Sequence, residues 1–95
     1  MRNLPATVRT SARALHQELE GAVVILDGES GKYFRLDAVG SQLWRFLCVE
    51  NLSPETTLTR LQALYAAPPE VLQRDVIAFL ERLQAAGLIE VESVA

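Results

Sequence analysis

The residues that could do covalent or metal chemistry are few in this chain, and they stand far apart. His16 is the single histidine and Cys48 the single cysteine, and they fall in separate elements, so no nucleophile sits beside a base and no His/Cys cluster has zinc spacing. A lone histidine of this kind is a surface or packing residue, and an unpaired cysteine beside an apolar face behaves as a small hydrophobe. Among the carboxylates, the pairs Glu18/Glu20 and Glu90/Glu92 stand two residues apart in expected strands, a spacing that belongs to a solvated strand face. Neither GxGxxG nor GxxxxGK[ST] occurs, and Gly28 and Gly31 serve a turn. No catalytic residue, metal or cofactor is implied. The chemistry that remains is that of the backbone, since an unpaired last strand of a sheet can receive a peptide.

That strand lies in the stretch Gly21 to Leu47, GAVVILDGESGKYFRLDAVGSQLWRFL. An apolar run over residues 22–26 is followed by a glycine-containing turn over 27–31, then a second short run, Lys32-Tyr33-Phe34-Arg35-Leu36, ending at Asp37. From there the period changes from that of a strand to that of a helix, with Val39, Leu43 and Leu47 four apart and Trp44 and Phe46 beside them. Asp37 suits the N-cap. The spacing thus predicts a β-hairpin feeding a helix, with residues 32–36 as the last strand of its sheet. Trp44 belongs to the core.

Composition bounds the rest. Ninety-five residues, 49% of them apolar, make one small globular domain. No apolar run approaches the ~20 residues of a membrane span, and no signal peptide is legible at the N-terminus. A single cysteine suits a reducing, cytoplasmic setting. The formal charge is −3 and the nine basic residues do not cluster, which argues against a nucleic-acid partner.

In chain order, residues 1–12 read as an extended arm. Residues 13–20 suit helix or strand; strand is chosen because a lone two-stranded hairpin is barely stable. Residues 13–36 then form a three-stranded sheet, and 37–91 hold three helices and a short wing strand. The second helix starts at Ser53-Pro54-Glu55, with Leu58, Leu61, Leu64 and Tyr65 as its apolar stripe. The third runs from Pro69 to about Ala86, with Leu72, Val76, Phe79, Leu80 and Leu83 in one arc of roughly 100°. Asp75, Ala78 and Arg82 lie on one flank of that arc, and Gln73, Ile77 and Gln84 on the other. Gly87 ends the helix, and residues 88–91 form the wing strand. This is an α+β domain: a three-stranded antiparallel sheet packed on a three-helix winged helix-turn-helix core.

The ordered set GxVVILDxxxGxYFxLDxxGxxLWxxL, a Leu-rich helix ending in Tyr65, and DVxxFLxxLxxxGLI at 75–89 resembles the PqqD-like family. These are recognition domains for the precursors of ribosomally made, modified peptides. Within it the chain looks most like the stand-alone recognition proteins of lasso-peptide maturation, over about residues 8–91. Glu50-Asn51 departs from the Asp-Gly turn of many relatives. The resemblance implies a non-catalytic protein that binds the leader segment of a precursor as an added strand and presents it to a separate leader peptidase and a cyclase. It places the leader on Lys32, Tyr33, Phe34, Arg35 and Leu36, against the third helix. Phe34 and Leu36 face the groove. If the wall is the flank with Asp75, Ala78 and Arg82, Ala78 leaves room for a leader side chain, the two charges fix register and Phe79 forms the floor. Two other functions fit the same elements: a carrier for a pyrroloquinoline-quinone-type precursor serving a radical enzyme, and a winged-helix DNA-binding regulator.

Overall fold

The computed structural model describes residues 3–92; positions 1–2 of the expected arm and 93–95 of the expected domain lie outside the described residues. Two sheets and three helices make up the α+β fold. β2 (Ala14–Leu19), β3 (Ala22–Asp27) and β4 (Tyr33–Arg35) form an antiparallel sheet in the order β2-β3-β4. The residues expected to form an arm contain a further strand, β1 (Thr7–Thr10), paired antiparallel with β5 (Ile89–Glu92) from Thr7↔Glu92 to Thr10↔Ile89. Val8 packs on the core between exposed neighbours, a single apolar contact that gives no readable period. Only the partner strand, over 80 positions away, makes β1 a strand.

Alternation sorts the three-stranded sheet into two faces. Val23, Ile25 and Asp27 are buried, and the register places Phe34 opposite Ile25 on that inner face. Leu15, Leu26 and Tyr33 share the outer face.

α1 (Ala38–Trp44) begins where Asp37 caps it, its Oδ1 accepting from the Gly40 N–H at 2.7 Å. The helix does not continue regularly. Residues Arg45–Val49 take a π-helical turn in which Glu50 N–H donates to the Arg45 carbonyl. The wider turn lets Leu43, Trp44, Phe46 and Leu47 all face inward. α2 (Pro54–Leu64) is capped by Ser53, whose hydroxyl accepts from Thr56 N–H. Its buried face is Pro54, Thr57 and Leu61, while Leu64, expected in the stripe, is exposed. The helix sits one step round from the all-leucine reading, because the small Thr57 approaches the core more closely than Leu64. α3 (Pro69–Ala85) buries Leu72, Val76, Phe79, Leu80 and Leu83, as its arc predicts. No helix of the described residues is long and apolar enough to cross a membrane.

Trp44 is fully buried. Its ring meets His16 edge-on, with centroids 5.7 Å apart, and Arg45 next to it pairs with Glu18 and donates to the Gly21 carbonyl at 3.1 Å. The α1 region thereby holds the β2–β3 hairpin. Trp44→Ala should cost about 3–5 kcal/mol, a large share of what a domain this small holds, and lower the melting temperature by roughly 10–30 °C. Thermal unfolding followed by circular dichroism measures it; an unchanged midpoint would contradict the core role.

Candidate functional site

β4 stands at the end of its sheet. On its inner side Asp27 N–H donates to the Lys32 carbonyl at 2.9 Å, and Leu36 N–H donates to the Val23 carbonyl at 2.9 Å. In an antiparallel ladder the bonded positions alternate. Lys32, Phe34 and Leu36 therefore turn their backbone groups to β3, and the N–H and C=O groups of Tyr33 and Arg35 face the open edge. These are two donors and two acceptors in line.

α3 runs beside that edge. Between them lies a cavity of about 440 Å³, lined on the strand side by Phe34, Arg35, Leu36 and Asp37, and on the helix side by Arg82, Leu83 and Ala86. A second cavity of about 420 Å³ continues it past the end of the strand, lined by Asp37, Val39, Gly40, Leu43, Asp75, Ala78, Phe79 and Arg82. Asp37 and Arg82 belong to both, so the two form one trough.

The structure brings most of the expected residues together here. Phe34 and Leu36 point inward, and Asp75, Ala78, Phe79 and Arg82 share one wall. Phe79 is buried and forms floor, with the Arg82 guanidinium carbon 5.9 Å from its ring centre. Lys32 and Tyr33 do not line the trough. Lys32 precedes the strand, and Tyr33 projects from the outer face, 71% exposed.

The sequence reading missed the end wall, which is α1 itself. Gly40 is the signal that could have found it. A Cβ there would lie 3.3 Å from Phe79 Cε1 and 3.0 Å from Asp37 Oδ1, so a glycine inside the helix lets α1 close on α3. The turn before β4, expected from its two glycines, is also fixed by a side chain that the sequence did not single out. Asp27 is buried, and its carboxylate accepts from Arg13 Nε at 2.9 Å and Nη2 at 2.7 Å, from Glu29 N–H at 3.0 Å and from the Ser30 hydroxyl at 2.8 Å. The Arg13 hydrogen bonds, with those from Glu29 and Ser30, hold the Asp27 carboxyl well below the usual carboxylate range.

The two residues weighed for catalysis lie elsewhere. His16 is exposed on β2 and Cys48 is half-buried in the π turn, where burial pushes its thiol up. Among the described residues no group of three or more His, Cys, Asp or Glu could hold a metal ion.

The model of the family described as coenzyme PQQ synthesis protein D (PqqD) matches residues 22–89. No curated protein matches the chain. Among solved structures, TbiB1 in complex with the TbiA(beta) leader peptide is 32% identical, with a TM-score of 0.81, over 92% of this chain and 98% of that one. A lasso peptide synthetase B1 complexed with its leader peptide superimposes with a TM-score of 0.82 over 90% and 99% of the two chains, at 24% identity, which speaks for the fold alone.

Because Asp27 is more acidic folded than unfolded, its contribution to stability is full above the unfolded carboxylate pKa of about 3.9 and is lost as pH falls below it. Asp27→Asn should therefore be less stable than the parent at pH 7, with the gap narrowing as pH drops from about 5 toward 2. Urea midpoints across that range test this, and a gap independent of pH would remove Asp27 from the account.

Proposed function

Since the chain belongs to the PqqD family, we propose that it is a non-catalytic recognition protein that binds the leader segment of a lasso-type precursor peptide as a strand added to β4. The observation that carries this is the row of unpaired Tyr33 and Arg35 backbone groups facing the α3 trough. An extended peptide would pair with that row and lay alternate side chains into the trough. Four strand hydrogen bonds at a net ~1 kcal/mol each fall short of the roughly −8 kcal/mol of a micromolar complex. The side-chain cavities supply the remainder.

Leader binding is supported by the 32% identity to TbiB1, which was solved with a leader peptide, and the lasso assignment rests on the resemblance of the ordered sequence motifs. A carrier for a pyrroloquinoline-quinone-type precursor is the second reading, favoured by the description of the family itself; a neighbouring radical enzyme in place of a peptidase and cyclase would select it. A DNA-binding role has less support, because α3 carries Glu70 and Asp75 beside Arg74 and Arg82.

Titration with the TbiA(beta) leader peptide, or with the leader of a precursor encoded beside this chain, tests the site. Arg35→Pro removes an N–H that faces outward and should weaken binding strongly in a folded protein. Ala78→Trp should block the trough. At least one of Asp75→Ala and Arg82→Ala should lose more than ~1 kcal/mol, since hydrogen bonds to charged groups contribute about 1.5–3. If all four variants bind like the parent, the peptide does not use this trough.

Delivery to the leader peptidase, and from there to the cyclase, needs a second surface. The outer sheet face supplies one: Leu15 and Leu19 are 57% and 43% exposed, with Tyr33 beside Leu26 on the same face. A leader strand on β4 would extend this face, so a peptidase docked there would meet domain and leader together. Leu15→Glu with Leu19→Glu should leave leader affinity intact and slow leader removal in a reconstituted reaction; undiminished cleavage would place the peptidase elsewhere.

A further inference from the structure

Both walls of the trough end at one side chain that the trough does not contain. Arg13 lies between β1 and β2. Its guanidinium forks onto the buried Asp27 carboxylate at 2.9 and 2.7 Å, and its third nitrogen, Nη1, pairs with Glu29 at 2.6 Å. Its carbonyl accepts from Gly28 N–H at 2.7 Å. The whole turn from β3 into β4 is thus built on Arg13. The same guanidinium lies against the end of α3. A Cβ at Gly87 would stand 3.2 Å from Nη1, and Gly87 has φ +76°, so only glycine fits there without strain. Gly87 adjoins Ala86, which lines the helix side of the 440 Å³ cavity opposite Phe34. A cation at this end also meets the negative end of the α3 dipole.

We infer that Arg13 is a positioning residue for the peptide trough: its fork bonds the β3–β4 turn while its guanidinium packs against the C-terminal end of α3 at Gly87, and so it sets the gap between β4 and α3. A planar, bidentate group suits that task, because it fixes distance and direction together. A lysine in its place would keep the charge and lose the fork. The consequence for peptide binding rests on the leader-binding function proposed above; the consequence for the gap does not.

Two measurements test it. In the first, amide spectra of Arg13→Gln without peptide should show shifts over residues 28–35 and 86–88 and none over α2; unmoved signals at either of the first two segments would overturn the inference. In the second, labelled TbiA(beta) leader peptide is titrated at a temperature where every variant is fully folded. Arg13→Gln should bind on the order of tenfold more weakly, the equivalent of one or two hydrogen bonds, and Arg13→Lys should recover only part. The double variant Arg13→Gln/Asp27→Asn removes the stranded buried charge, so its melting temperature should rise again while its affinity stays low. If affinity returns with stability, the pair is merely structural and the inference fails. A parent that does not bind the probe, together with the expected amide shifts, would count against the leader-binding function and leave the positioning role of Arg13 standing.

Discussion

Tyr33 and Arg35 carry backbone donors and acceptors that no strand of the sheet satisfies, and much of the structure is arranged around what meets them. Such groups demand hydrogen bonds from water or from another chain. A flat, open edge would accept any extended segment. Here α3 stands across from it, so a segment must also fit between Phe34 and Leu36 on one side and Ala78, Phe79, Arg82 and Leu83 on the other. Backbone pairing is indifferent to sequence, so discrimination between segments would fall to the helix wall.

Such a trough is useful only if its walls keep their places. β4 has three residues, too few to hold a geometry by pairing alone. It is held at both ends by polar contacts: before it by the Asp27 carboxylate and Arg13, after it by the Asp37 cap of α1. Behind it, Val23, Ile25, Leu43, Trp44, Val76 and Leu80 are all essentially fully buried and form one core with Phe79. A binding surface fixed in this way loses little conformational freedom when it is occupied.

The two faces of the sheet differ in what they bury. The inner face is committed to the core and the trough, and the outer face leaves Leu15, Leu19 and Tyr33 in solvent. Among the described residues nothing covers these side chains, and it is this exposed apolar face that the proposed peptidase docking would use.

What the sequence determined by itself is whatever depends on neighbours along the chain. The switch of apolar period at Asp37, the caps at Asp37 and Ser53, the arc from Leu72 to Leu83 and the burial of Trp44 were all legible, because propensity, capping and amphipathic spacing act over a turn or two. The end position of β4 followed too, since the chain turns helical immediately after it. Tertiary structure decided the rest. β1 exists because residues 89–92 lie beside it, the π turn after Trp44 because four apolar side chains must enter one core, and the exposure of Leu64 because Thr57 lets α2 approach. The Arg13–Asp27 pair had no signature at all, and neither did the α1 end wall beyond one glycine inside a helix. Ion pairs and close approaches join residues that are distant in sequence, and nothing local records which partners the fold will bring together.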